Sequence, residues 1–158
     1  MPDITTSLTY NDQAEEAVRH YVSTFESAKI LSTMRYGDAG PGPKGAAMSL
    51  TFELFGKTFI ALNGGKSFSF SHGISLFVSC DTQAEIDRYW SKLLEGGGKE
   101  VQCGWLVDRF GVSWQIVPKA LGEMLGDKDA ARSGRAMQAM MKMVKLDIAT
   151  LKRAYDGG

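Results

Sequence analysis

The order of residue types in this chain repeats, and the repeat limits the folds open to it. In the first half, Asp12, Glu16, Arg19 and Tyr21 open a helical segment that gives way to Phe52-Glu53-Leu54-Phe55-Gly56-Lys57-Thr58-Phe59-Ile60-Ala61-Leu62. In the second, Asp81, Glu85, Arg88 and Trp90 take the same places ahead of Val107-Asp108-Arg109-Phe110-Gly111-Val112-Ser113-Trp114-Gln115-Ile116-Val117. Each half reads strand, helix, strands, with a Phe-Gly turn in its last hairpin. A repeated unit of this kind does not bury its sheet alone, so the pattern predicts two copies that share a core and leave a cleft between or within curved sheets.

The chain has 158 residues, enough for one compact domain or two closely packed half-domains. Lys plus Arg and Asp plus Glu number 18 each, so no concentrated positive field points to a nucleic-acid or membrane-surface partner. Met1-Pro2-Asp3-Ile4-Thr5-Thr6 has neither the basic nor the apolar region of a signal peptide, and no run is long enough to cross a bilayer. The expectation is a cytoplasmic protein. Cys80 and Cys103 lack metal-finger spacing and read as reduced thiols in strands.

Ile4 to Tyr10 is rich in β-branched residues and predicts a strand, ending at Asn11-Asp12, either of which can cap a helix. Ala14, Ala17, Val18, Tyr21, Val22 and Phe25 then recur at helical spacing. Lys29 to Tyr36 reads as extended. The segment 37–45 is too rich in Gly and Pro to be anything but a loop, without counterpart in the second half: a mobile lid or a plain connection. Strands follow over Ala46 to Phe55 and Lys57 to Leu62. Asn63-Gly64-Gly65-Lys66 is followed by no helix that would make it a phosphate loop, and reads as the crossing between halves. Ser71 to Ser79 reads as the next strand, Asp81-Thr82 as a helix cap, and Gly96-Gly97-Gly98 as that helix's stop. In the last hairpin, Asp108 and Gly111 suit the first and fourth positions of a type I turn. Beyond Pro118 the spacing turns helical, with a stripe of Met137, Met140, Met141 and Val144 expected to serve as core or dimer contact.

Strand parity sorts the side chains into two faces. One set, with Leu8, Tyr10, Ile60, Leu62, Ile74, Leu76, Val78, Trp114 and Ile116, is bulky enough to cover helices. The other holds Thr5, Ser7, Thr9, Ala61, Asn63, Gly73, Ser75, Ser79, Ser113 and Gln115, with Phe59, Phe77 and Val117. It is small, hydroxyl-rich and nearly free of ionisable groups, so it can exchange hydrogen bonds but offers no set of imidazoles or carboxylates for a divalent metal.

With these residues the chain resembles the vicinal oxygen chelate superfamily, the fold of glyoxalase I, extradiol dioxygenases and bleomycin-resistance proteins. Asp81 to Trp90 followed by Cys103 to Gln115, together with Met140-Met141-Lys142-Met143 and Lys145-Leu146-Asp147-Ile148, is similar to its PhnB-like branch, some of whose members carry the label demethylubiquinone methyltransferase. The resemblance implies an α+β fold of paired βαβββ modules, forming curved mixed sheets around a cleft, with a C-terminal helical extension. The modules would span 1–66 and 67–118, and the extension 119–158 would pack on the core or on a dimer partner. Metal-dependent members carry ligands at positions that fall here at Thr5, Ala61, Gly73 and Gln115, a poor set, which implies no metal. His72 is one residue out of strand register unless a bulge intervenes, and His20, mid-helix, reads as a surface or partner-contacting histidine. The methyltransferase label meets an objection, since nothing supplies a glycine-rich strand-to-helix turn followed by an acidic residue for a cofactor ribose.

The expected function is small-molecule binding in a cleft closed by homodimerisation, with no cofactor. Thr9, Asn63, Ser75 and Gln115 would hydrogen-bond the ligand, and Phe59, Trp105, Phe68 and Phe70 would wall it. Asp108 and Arg109 at the turn would orient a charged group, or Asp108 would satisfy its own backbone. The alternative is an enzyme of the lyase or transferase type, with Glu53 as general base or with an atypical metal site recruiting His72.

Overall fold

Parallel pairing joins the first strand of each half to its last. In the computed structural model, which describes residues 1–158, the first half runs β1 (Thr6–Tyr10), α1 (Ala14–Thr24), β2 (Ala28–Arg35), β3 (Ala47–Leu54) and β4 (Lys57–Asn63). The sheet order is β1-β4-β3-β2, with β1 and β4 parallel and the other pairs antiparallel. The second half repeats this with β5 (Ser75–Cys80), α2 (Gln83–Leu94), β6 (Lys99–Glu100), β7 (Trp105–Val107) and β8 (Ser113–Pro118), in the order β5-β8-β7-β6. Both halves are therefore βαβββ modules, in two compact units, Met1–Ser69 and Phe70–Gly158. No helix is long and apolar enough to cross a membrane.

In the first unit, Ala14, Ala17, Val18 and Tyr21 turn the buried stripe of α1 onto the sheet, where Leu50 and Phe52 are also buried. Each large side chain so covered contributes about 1.5–3 kcal/mol. The Tyr10 hydroxyl donates to that of Tyr21 (3.1 Å), giving the buried phenols a polar partner. The start of α1 departs from expectation: neither Asn11 nor Asp12 caps it. Asn63 at the end of β4 accepts from Ala14 N (2.8 Å), while Asn11 Oδ1 accepts from Phe68 N (3.0 Å). The β3–β4 turn forms at Phe55 and Gly56, both at positive φ (49° and 76°), the two-residue turn whose twist matches antiparallel strands.

In the second unit, Thr82 caps α2 in a reciprocal capping box with Glu85. Strand β5 begins later than the sequence suggests. The Ser71 hydroxyl accepts from Gly73 N (3.0 Å), holding 71–74 in a turn, so Ile74 is exposed rather than laid on the helix side. Cys80 is buried in β5, and desolvation pushes its thiol up to about 12, which keeps it protonated and inert. Cys103 lies outside the strands, in a turn at φ 59°.

Asp108 shapes the β7–β8 hairpin. Gly111 N donates to its carbonyl (3.0 Å), closing the expected turn. Its carboxylate accepts from Phe110 N (2.9 Å), Val112 N (3.0 Å) and the Trp114 indole (2.9 Å). It is therefore a buried turn residue. Helices α3 (Lys119–Leu125), α4 (Ala130–Met141) and α5 (Ile148–Asp156) complete the unit around Leu121, Met124, Ala136, Leu146 and Leu151. Cys103 N and Gly104 N donate to the carbonyls of Met143 and Val144, and Lys145 pairs with Asp87 (2.7 Å), tying this extension to α2 and the β6–β7 connection. Of the methionine stripe, Met140 packs against this cluster, while Met137, Met141 and Val144 are exposed.

Asp108→Ala would leave three buried donors without an acceptor. The expected loss is about 3 kcal/mol in urea unfolding. A loss below about 0.5 kcal/mol would show that the hairpin stands without this carboxylate.

Candidate functional site

Register assigns the sheet faces more surely than parity within one strand. In the first unit Leu8 stands opposite Ala61, Tyr10 opposite Asn63 and Phe52 opposite Phe59, so all six lie on the side covered by α1. The expected phase of β4 is thus reversed. Ala61 is fully buried under α1 between Leu8 and Leu50, while Ile60 and Leu62 share the other face with Ser7, Thr9 and Thr51. The three expected ligand residues of this unit are separated. Thr9 is on the face away from α1, and Phe59 stacks on Phe52 at 5.4 Å. The Asn63 amide is used at both ends, accepting from Ala14 N and donating to the Ala47 carbonyl (3.0 Å), so it fastens the helix to the sheet.

The second unit brings its expected residues together. On the sheet face away from Trp114 and Ile116, Gln115 is flanked in register by Phe77 on β5 and Trp105 on β7. Its Nε2 donates to the Ser75 hydroxyl (2.9 Å). One position along, Ser75 stands opposite Ser113, whose hydroxyl lies 3.2 Å from His72 Nδ1. His72 needs no bulge, because it belongs to the turn before β5 and folds over the end of the sheet. Phe77 is 58% exposed, and Trp90 and Trp114 are buried, leaving Trp105 the accessible indole. Parity places Phe77 on this face, but the expected wall residues do not include it, and the contact of His72 with Ser113 is not foreseen.

The carboxylate considered as a base lies elsewhere. Glu53 is on the face of the first sheet shared with Thr51, and its Oε1 is 3.9 Å from Lys29 Nζ, with the side chain 27% exposed. His20 is buried on α1 rather than at the surface. No three His, Cys, Asp or Glu side chains gather where they could hold a metal ion. Of the four positions implied by the superfamily, Ala61 faces α1, and Thr5, Gly73 and Gln115 offer no charged ligand. The residues present do not fit the usual metal.

The Gly/Pro segment joining β2 to β3 is packed rather than loose. A Cβ on Gly40 or Gly42 would lie 2.7 or 2.3 Å from the Tyr36 ring, so only glycine lets the loop wrap that side chain. Gly45 N donates to Tyr36 O (2.9 Å) and Tyr36 N to Ala46 O (2.9 Å), closing the loop at its base. Arg35 donates to Glu15 (2.8 and 3.2 Å) and to the Gly45 carbonyl (3.1 Å), binding that base to α1. With the 63–66 turn this loop bounds a cavity of ≈ 770 Å³.

This architecture defines a class by its fold, two βαβββ modules each with a four-stranded mixed sheet. The profile of the 3-demethylubiquinone-9 3-methyltransferase family matches residues 2–117, and the chain belongs to that family. The PhnB protein of Bacillus cereus, which carries the same methyltransferase description, is 36% identical with a TM-score of 0.68; the match covers 74% of this chain and 99% of that one. The fosfomycin resistance protein FosX of Mesorhizobium loti is 16% identical (TM-score 0.56; 80% and 98% covered). A glyoxalase/bleomycin resistance protein of Albidiferax ferrireducens T118 is also 16% identical (TM-score 0.50; 74% and 98% covered). These last two likenesses concern the fold alone. Among curated proteins none matches the chain. The family description implies a methyl-donor cofactor, yet β1 leads to α1 through Asn11-Asp12-Gln13 and β5 to α2 through Asp81-Thr82, without the glycines such a cofactor's turn requires. The strand-to-helix junctions do not fit it.

Hydrogen bonds from Arg35 first, then Arg19, hold the Glu15 carboxyl at about 2, below its ordinary 4.5. A lowered folded value stabilises fully above pH 4.5 and is lost as pH falls through about 2. The groups are solvent-screened, so Glu15→Gln is expected to cost about 1 kcal/mol at neutral pH, the gap from wild type narrowing on acidification below pH 4.5. A gap constant with pH would contradict the anchoring role.

Proposed function

We propose that the chain binds a small, uncharged, planar molecule on the sheet face of its second unit, without the metal usual in its superfamily. The observation that carries this reading is the Ser75–Gln115 hydrogen bond set between Phe77 and Trp105. Two aromatic side chains flank a neutral donor–acceptor pair, so a flat ring system would gain apolar contact on both sides and hydrogen bonds at its centre. The Gln115 amide gives one N–H to Ser75, which fixes its orientation. Its oxygen can then accept from a ligand while the Ser75 hydroxyl proton donates. His72, held by Ser113, borders the same face and offers its Nε2.

A second copy of the chain is the proposed partner. Phe77 and Ile74 are 58% and 73% exposed, and a covering copy would desolvate both and enclose the ligand. Sedimentation at micromolar concentration should give a dimer; a monomer contradicts this part of the reading.

Trp105 fluorescence provides the binding test, with coumarin and 2-quinolinone as neutral probes and benzoate as a charged control. Saturable quenching by the neutral probes is expected, weakened about tenfold by Gln115→Leu or Ser75→Ala. Tighter binding of benzoate would overturn the neutral-site reading. Glu53→Gln is expected to leave this binding unchanged, and stoichiometric nickel, zinc or manganese binding abolished by His72→Ala would replace the metal-free reading with a metal-dependent one.

A further inference from the structure

The ≈ 770 Å³ cavity is formed wholly by the first unit, and the reading above makes no use of it. Its size falls within the roughly 300–1,000 Å³ of small-molecule sites. Residues 36–46 join β2 to β3 and wall it, whereas only residues 101–104 join β6 to β7 at the corresponding place in the second unit. The cavity is therefore a product of the inserted loop, and its wall is held in place by the Tyr36 packing and the Arg35 clamp. Asn63, at its floor, is fixed at both ends of its amide.

We propose that this cavity binds amphoteric molecules of the amino-acid and short-peptide class. Asp12 and Lys66 both line it, and neither forms an ion pair or a side-chain hydrogen bond. A purely anionic ligand would meet Asp12, and a purely cationic one Lys66, each a like charge that opposes binding. A ligand with an ammonium at one end and an acid at the other satisfies both. Between these ends Tyr36, Pro41 and Pro43 offer an apolar surface for a short body. Of the other polar groups around it, Gly64 N donates to Tyr10 O, Gly65 N to Asn11 O and the Asn63 amide is used at both ends, so Asp12 and Lys66 are the charged groups that select a ligand.

Four peptides isolate each charge: trialanine, N-acetyl-trialanine, trialanine amide and N-acetyl-trialanine amide. In titrations of ¹⁵N-labelled full-length protein, trialanine should shift the Gly42, Gly64 and Gly65 amide resonances saturably, with each blocked end weakening affinity about tenfold. Lys66→Ala should erase the preference for a free carboxylate while keeping that for a free amine, and Asp12→Asn should do the converse. Gln115→Leu, in the other unit, should leave trialanine binding as it is. Equal binding of all four peptides, tighter binding of a blocked one, or no saturable shift would overturn the proposal, with the unperturbed resonances reporting that each variant is folded.

Discussion

The parallel pairing of β5 with β8 is the constraint on which the second unit depends. Parallel neighbours cannot be joined by a tight turn, so the chain must travel through a helix and two further strands before β8 can lie beside β5. Once there, alternate residues of β8 serve opposite ends. Trp114 and Ile116 are buried under α2, and Ser113 and Gln115 are delivered to the other face in register with Ser75 and Phe77. Asp108 fixes the arrival of the strand by holding both the turn and the Trp114 indole. The core anchor and the hydrogen-bonding groups of the open face are thus neighbours in sequence, and a slip of one residue would exchange them.

The first unit has the same topology with a different division of labour. Its helix start relies on a residue brought from the far end of β4, whereas α2 is capped by its own Thr82 and Glu85. Asn63 therefore does structural work where its counterpart in the second unit, Pro118, stands opposite Cys80 and ends β8 at the start of α3. The inserted loop between β2 and β3 extends this divergence, clamped by Arg35 and Glu15 and wrapped on Tyr36. The two units share one frame, and separate local chemistry gives one a sheet face with a neutral amide–hydroxyl pair and the other a charged cavity.

The strand–helix–strands repeat, the Phe55-Gly56 and Asp108–Gly111 turns, and the phase of β8 were legible in the sequence because each is written locally. In β8 the contrast between Trp114 or Ile116 and Ser113 or Gln115 is steep enough to fix the faces. In β4 it is not. Phe59, Ala61 and Asn63 alternate with Thr58, Ile60 and Leu62, and the larger aliphatics suggest the wrong side, because the close approach of α1 favours alanine where bulk alone predicts isoleucine. The positions of His72 and Asn63 are less legible for a related reason. Their roles arise from a turn and a tertiary hydrogen bond that strand parity does not encode.

The neutral amide–hydroxyl pair on the second sheet face bears on what it can select. Ser75 and Gln115, a hydroxyl and an amide flanked by two aromatics, give a charged ligand no counter-ion of their own to offset its loss of hydration, and the charged strand residue on this face, Lys99, stands at the sheet edge in the row of Ser113 and Val107. This arrangement gives a flat neutral ligand both stacking and paired hydrogen bonds, and leaves Ser75 and Gln115 imperfectly satisfied if that ligand lacks the matching groups. Discrimination of this kind needs no charge and no metal, only a fixed amide. The Ser75–Gln115 bond fixes it, and an apolar substitution at either residue would release the other to rotate, removing orientation as well as one hydrogen-bonding group.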